Sequence, residues 1–135
     1  MTAITTRPVR DSTDSLLRFA LRADATLCGA VGLFIAMAAD PLSRLSGLSA
    51  TSEWIAGAAL VGYGLALYVA AGARGVRRVG VGVLVGNIAF AVLVAAVLIA
   101  GWLPLTGLGV ASTIAFTVAT LAFAYAQYLG VRRLA

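Results

Sequence analysis

Four apolar runs, each close to the length that crosses a bilayer, leave this chain few ways to fold. They cover roughly residues 12–39, 53–73, 79–102 and 108–130, with short polar breaks between them. At about 1.5 Å of rise per residue, some 20 helical residues span a hydrocarbon core of about 30 Å. Lipid offers no partners to backbone N–H and C=O groups, so such runs become helices, whose backbone satisfies itself. Composition agrees: 61% of the residues are hydrophobic and 11% charged, against about 45–50% and about a quarter in soluble domains. A soluble globule this apolar would expose large greasy patches to water. The expected fold is an all-α membrane protein: an antiparallel up-down four-transmembrane-helix bundle over residues 12–135, behind a mobile cytoplasmic tail of residues 1–11.

Local signals refine these spans. Asp11, Ser12 and Thr13 offer N-caps for the first, and Asp14 stands four before Arg18, the favourable order for an ion pair. Pro41 is read as the stop of that run, which at roughly 42 Å is longer than the hydrocarbon, so Arg18 and Arg22 can snorkel into the headgroup layer. Ser52 and Glu53 are read as cap and first-turn acid of the second run, and Pro104 and Gly107 as the turn before the fourth. Leu42, Leu45 and Leu48 are spaced as for a short interfacial helix. A rival reading takes Ala25–Ala39, with Ala36-Met37-Ala38, as a cleaved signal peptide. The long leading region and Asp24 at the edge of the apolar stretch argue against it.

Orientation follows from arginine. All ten basic residues are Arg. Arg7, Arg10, Arg18 and Arg22 precede or open the first run, Arg74, Arg77 and Arg78 join the second to the third, and Arg132 and Arg133 end the chain. Only Arg44 falls on the other side of a four-pass layout, so the positive-inside rule sets both termini in the cytoplasm. The absence of Lys beside abundant Ala, Gly and Val reads as high genomic GC content and points to a bacterial cytoplasmic membrane. Because the arginines cap apolar runs instead of forming a stripe, the net charge of +5 is matched to anionic lipid headgroups and not to nucleic acid. With no His and one cysteine, Cys28, no metal, cofactor or internal disulfide is expected.

Polar residues inside the spans are the informative ones, since each is costly in lipid unless satisfied. Asp24, Tyr68, Asn87 and Gln127 stand one per run. Counted from the cytoplasmic arginines, Asn87 lies roughly 13 Å deep, Tyr68 about 9 Å and Gln127 about 7–8 Å, with Asp24 a turn or less inside the interface. All four fall in the cytoplasmic half. Asp24 has no opposite charge a turn away, so its partner comes from another helix: Asn87, Gln127 or the arginines near Arg77. Two readings stand, a hydrogen-bonded lock between helices and a protonatable site facing a vestibule.

Thr113, Thr117 and Thr120 share a face with Gln127, either bonding back to their own helix or lining a polar seam. Small residues recur at four-residue spacing, as at Ala58, Gly62, Ala66 and Ala70, and mark Gly29, Gly62, Gly82 and Gly86 as candidate helix-packing positions. Gly80-Val-Gly82 opens a membrane run with no strand before it, which removes a dinucleotide-binding reading.

Leu21-Arg22-Ala23-Asp24-Ala25, the connection Leu42 to Leu48, Asn87 and the ending Gln127-Tyr128-Leu129-Gly130-Val131-Arg132-Arg133 together form a pattern. It resembles a broad group of small four-pass bacterial integral membrane proteins of actinobacterial type. These have a Leu-Arg-x-Asp-Ala start, a Leu-x-x-Leu-x-Gly-Leu connection and a Leu-Gln-x-x-Gly-x-Arg-Arg-like end. The likeness covers nearly the whole chain and implies the fold; it brings no activity with it.

Taken together, these features point to a non-enzymatic membrane protein. The partners that fit are the lipid bilayer and a larger membrane complex or a second copy of the chain. The alternative is a small proton-coupled carrier using Asp24 with Asn87 and Gln127.

Overall fold

A computed structural model describes residues 8–134, with side chains from Asp14 onward. Among the described residues it is wholly helical: α1 Pro8–Met37, α2 Ala39–Ser46, α3 Ala50–Ala70, α4 Val76–Ala100 and α5 Gly107–Arg133. Helices α1, α3, α4 and α5 are long and apolar enough to cross a membrane. The fifth element, α2, is the connection between the first two spans.

Helix ends depart from the sequence reading for identifiable reasons. The tail expected over residues 1–11 falls for residues 1–7 outside the described residues, while α1 already begins at Pro8. Proline suits a first helical turn because its missing N–H would have no partner there, so Asp11, Ser12 and Thr13 lie inside the helix instead of capping it. Pro41 likewise sits in the first turn of α2 and does not end α1, which breaks at Ala38. Helix α3 starts one turn earlier than expected: Ser49 is the N-cap, accepting from the Ser52 N–H at 3.1 Å. Its counterpart on α5 is Thr106, which accepts from the Gly109 N–H at 3.1 Å.

Helix α1 lies at the centre of the packing. Its buried residues Leu17, Ala20, Leu21, Asp24, Ala25 and Cys28 form one stripe at helical spacing. Against that stripe α3 and α5 run antiparallel to α1, while α4 packs on α5 and touches α1. Joined by only residues 71–75, α3 and α4 scarcely meet. The apolar core of Leu17, Leu21, Leu67, Ala71, Val76 and Val131 occupies one end of the bundle. Arg74, Arg77, Arg78, Arg132 and Arg133 surround that end and are all exposed.

The most extensive helix contact is between α1 and α3. A Cβ placed on Gly57 would lie 2.5 Å from the Ala36 nitrogen and the Gly32 oxygen, and one on Gly64 would lie 2.7 Å from the Ala25 oxygen. Only glycine lets the two backbones meet this way, replacing the hydrophobic drive absent in lipid with dispersion. The expected packing glycines are mostly others. Gly62, Gly82 and Gly86 have open space where a side chain would project, and Gly29 takes part only through its backbone, which faces Gly64. The reason is the face presented: α3 buries Glu53, Gly57, Gly64 and Leu67, and Gly62 lies off that stripe.

At the opposite end, α2 is tied down by the start of α5. The Thr106 N–H donates to the Ser46 carbonyl at 2.8 Å, the Thr106 hydroxyl donates to the Leu45 carbonyl, and the Ser46 hydroxyl donates to the buried Glu53 carboxylate. Gly47 ends α2 in the left-handed region at φ 91°, a position that favours glycine.

Candidate functional site

Three of the four polar residues singled out from the sequence meet in the interior. Asp24 on α1, Asn87 on α4 and Gln127 on α5 are 3%, 7% and 0% exposed. The Gln127 amide donates to Asp24 Oδ2 at 2.8 Å, and the Asn87 amide donates both to Asp24 Oδ2 at 3.2 Å and to Gln127 Oε1 at 3.0 Å. One turn along α1, the Cys28 thiol donates to Asp24 Oδ1 at 3.5 Å. The carboxylate therefore accepts from three donors. Among the described residues no arginine pairs with it; the ion pair there is Arg18 with Asp14, at 3.0 Å.

Each helix delivers its residue by simple register. Asp24 follows Leu17 and Leu21 on the buried stripe of α1, and Gln127 follows Thr120 and Ala124 on that of α5. Asn87 lies seven residues, two turns, beyond buried Gly80 on α4, whose Cβ position would be 2.8 Å from the Leu17 side chain. Among the described residues, no fully buried side-chain nitrogen or oxygen lacks a hydrogen-bond partner. In a membrane each such bond contributes about 0.6–2 kcal/mol.

Tyr68 does not join them. It is half-exposed, and the Arg22 guanidinium carbon lies over its ring, 5.1 Å from the centroid. The next residue back, Leu67, is the one α3 buries, and one step of about 100° carries Tyr68 off the contact face. Tyr68 and Arg22 instead border an open groove of about 500 Å³ on the other side of α1, floored by Phe19, Ala23 and Leu27 and flanked by Phe123 of α5. A second groove, about 390 Å³, lies beside α2 near Asp40, Pro41 and Trp54. Neither is lined by Asp24, Asn87 or Gln127.

The threonines of α5 turn inward on their own helix. Thr113, Thr117 and Thr120 donate to the carbonyls of Gly109, Thr113 and Phe116 at 2.8–3.0 Å. They spend their hydroxyls on the backbone and leave methyls for packing.

Two features escaped the sequence reading. Arg18, read as the ion-pair partner of Asp14 and a snorkelling cation, also donates to the carbonyls of Ala71 at 2.8 Å and Ala73 at 3.0 Å. It thereby caps the C-terminus of α3, a helix with no basic residue in its own last turn. Cys28 as a donor was foreshadowed only by its four-residue spacing from Asp24. No three His, Cys, Asp or Glu side chains among the described residues come together to hold a metal. Comparison with known proteins found no matching family model, no matching curated protein and no matching solved structure.

Proposed function

We propose that this chain is a four-pass integral membrane protein of a bacterial cytoplasmic membrane, with both termini inside, acting as a non-enzymatic accessory subunit that packs against other membrane helices. The observation that carries the reading is the Asp24–Asn87–Gln127 cluster, which ties α1, α4 and α5 together and engages the Asp24 carboxylate with donors of the protein itself. Around this fixed frame α4 turns most of its length outward, with only 6% of its most apolar window buried. A helix so little used within its own bundle is suited to contact with lipid and with a neighbour's helices.

The orientation rests on the arginines gathered at one end, against Arg44 alone at the other. The carrier alternative, with Asp24 as a proton-coupling group, draws on the same three residues. The bonds of Asp24 to Asn87 and Gln127, and the absence of all three from either groove, weigh against it.

Gentle detergent extraction followed by native mass analysis tests the proposal. A complex with a second membrane protein, or with further copies of the chain, is expected. A bare monomer from every mild detergent would overturn the subunit reading. Proton-driven flux in proteoliposomes that disappears in Asp24→Asn would replace it with the carrier.

A further inference from the structure

We infer that the groove beside Arg22 is a binding site for one anionic phospholipid, with its phosphate on the Arg22 guanidinium and an acyl chain along α1. The inference needs only that the chain lies in a bilayer, and stands apart from the subunit reading.

The two arginines of this part of α1 are used in opposite ways. Arg18 is spent: Asp14 and the carbonyls of Ala71 and Ala73 occupy its donors. Arg22, one turn deeper, has no carboxylate partner among the described residues; its contact is with the face of the Tyr68 ring. The Arg22 guanidinium makes no side-chain hydrogen bond among the described residues, so its N–H groups remain available. They form the fork that matches two oxygens of a phosphate.

Apart from the cation and Tyr68 the groove is largely apolar. Phe19 lies toward the arginine-rich end, Ala23 and Leu27 continue it inward beside Phe123, and the Thr26 hydroxyl donates to the Arg22 carbonyl at 2.7 Å, which turns a polar residue into another packing surface. A volume of about 500 Å³ lies within the usual range of small-ligand sites. A fixed cation at the arginine-rich end, continued inward by an open hydrocarbon trough, matches a molecule with an anionic head and an aliphatic tail. A soluble phosphate would use the cation and not the trough; a zwitterionic lipid would use the trough and meet the cation with a balanced headgroup.

The full-length chain is placed in nanodiscs holding equal amounts of phosphatidylglycerol and phosphatidylcholine, and native mass spectrometry reads the lipid it retains. The wild type is expected to keep one phosphatidylglycerol in preference to phosphatidylcholine, and Arg22→Gln to lower that preference about fivefold, the weight of one basic residue at an anionic surface. Arg44→Gln removes the same charge at the other end and should leave the preference unchanged. Ala23→Phe fills the trough while keeping Arg22, and should also release the lipid; it carries the test should Arg22→Gln fail to fold. Equal retention of the two lipids by the wild type overturns the site, as does an equal effect of Arg44→Gln. Retention unchanged in Ala23→Phe, or displacement by millimolar inorganic phosphate, overturns the role of the trough.

Discussion

Replacing Gln127 by leucine puts a price on the polar cluster. The side chains are close in size, so the change removes hydrogen bonds without opening a large cavity. Two are lost: the 2.8 Å bond to Asp24 and the 3.0 Å bond from Asn87. Asp24 keeps the Asn87 amide at 3.2 Å and the Cys28 thiol at 3.5 Å, the longer contacts of the set. At about 0.6–2 kcal/mol for each bond within a membrane, the loss is about 1–4 kcal/mol. The upper part of that range is expected, because a fully buried carboxylate gives up its shortest donor and gains no water in return. Reversible unfolding in mixed micelles, driven by increasing SDS and followed by circular dichroism, measures it. The triple variant Asp24→Leu, Asn87→Leu, Gln127→Leu leaves no polar group stranded, and should be destabilised by clearly less than the sum of the three single changes. A Gln127→Leu protein within about 0.3 kcal/mol of wild type, the error of such additive comparisons, would refute the reasoning.

Other consequences concern packing and capping. Gly57→Ala forces α1 and α3 apart and should cost about 1–3 kcal/mol in the same unfolding assay, whereas Gly62→Ala, which projects into open space, should be neutral or stabilising by up to about 1 kcal/mol. Equal costs at the two positions would contradict the assigned α1–α3 face. Thr106→Val removes both the α5 cap and the bond to the Leu45 carbonyl. It should cost about 1 kcal/mol and speed amide exchange across α2, with exchange in α3 unchanged.

The spans were legible because hydropathy and length act along the chain and ask nothing of tertiary contacts. Depth was legible only coarsely: counting from the arginines set Asp24, Asn87 and Gln127 in the same half of the bundle though at different depths, and the structure bonds them to one another. Azimuth was not. Tyr68 falls in the same half but lies off the α3 contact face, and a sequence gives no angle between helices. The glycines failed for the same reason. Small residues line α3 both at Ala58, Gly62, Ala66 and Ala70 and at Gly57 and Gly64, so spacing alone cannot choose between the faces. Close backbone approach chose the second. Pro41 misled because proline both ends and begins helices, and the capping role of Arg18 required knowing that the end of α3 returns to the start of α1.

The native cysteine offers the most direct measurement of whether the Asp24 cluster is dry. Cys28 is the chain's only thiol, buried at 5% exposure and donating to Asp24. A membrane-impermeant maleimide applied to both faces of the bilayer should leave it unmodified in the native protein and label it fully once SDS unfolds the chain. A thiol introduced by Gly75→Cys, in the exposed turn between α3 and α4, should react at once in the native state and calibrate the rate. Native labelling of Cys28 at a rate approaching that of the introduced thiol would mean water reaches Asp24, and the closed lock would give way to a wet site.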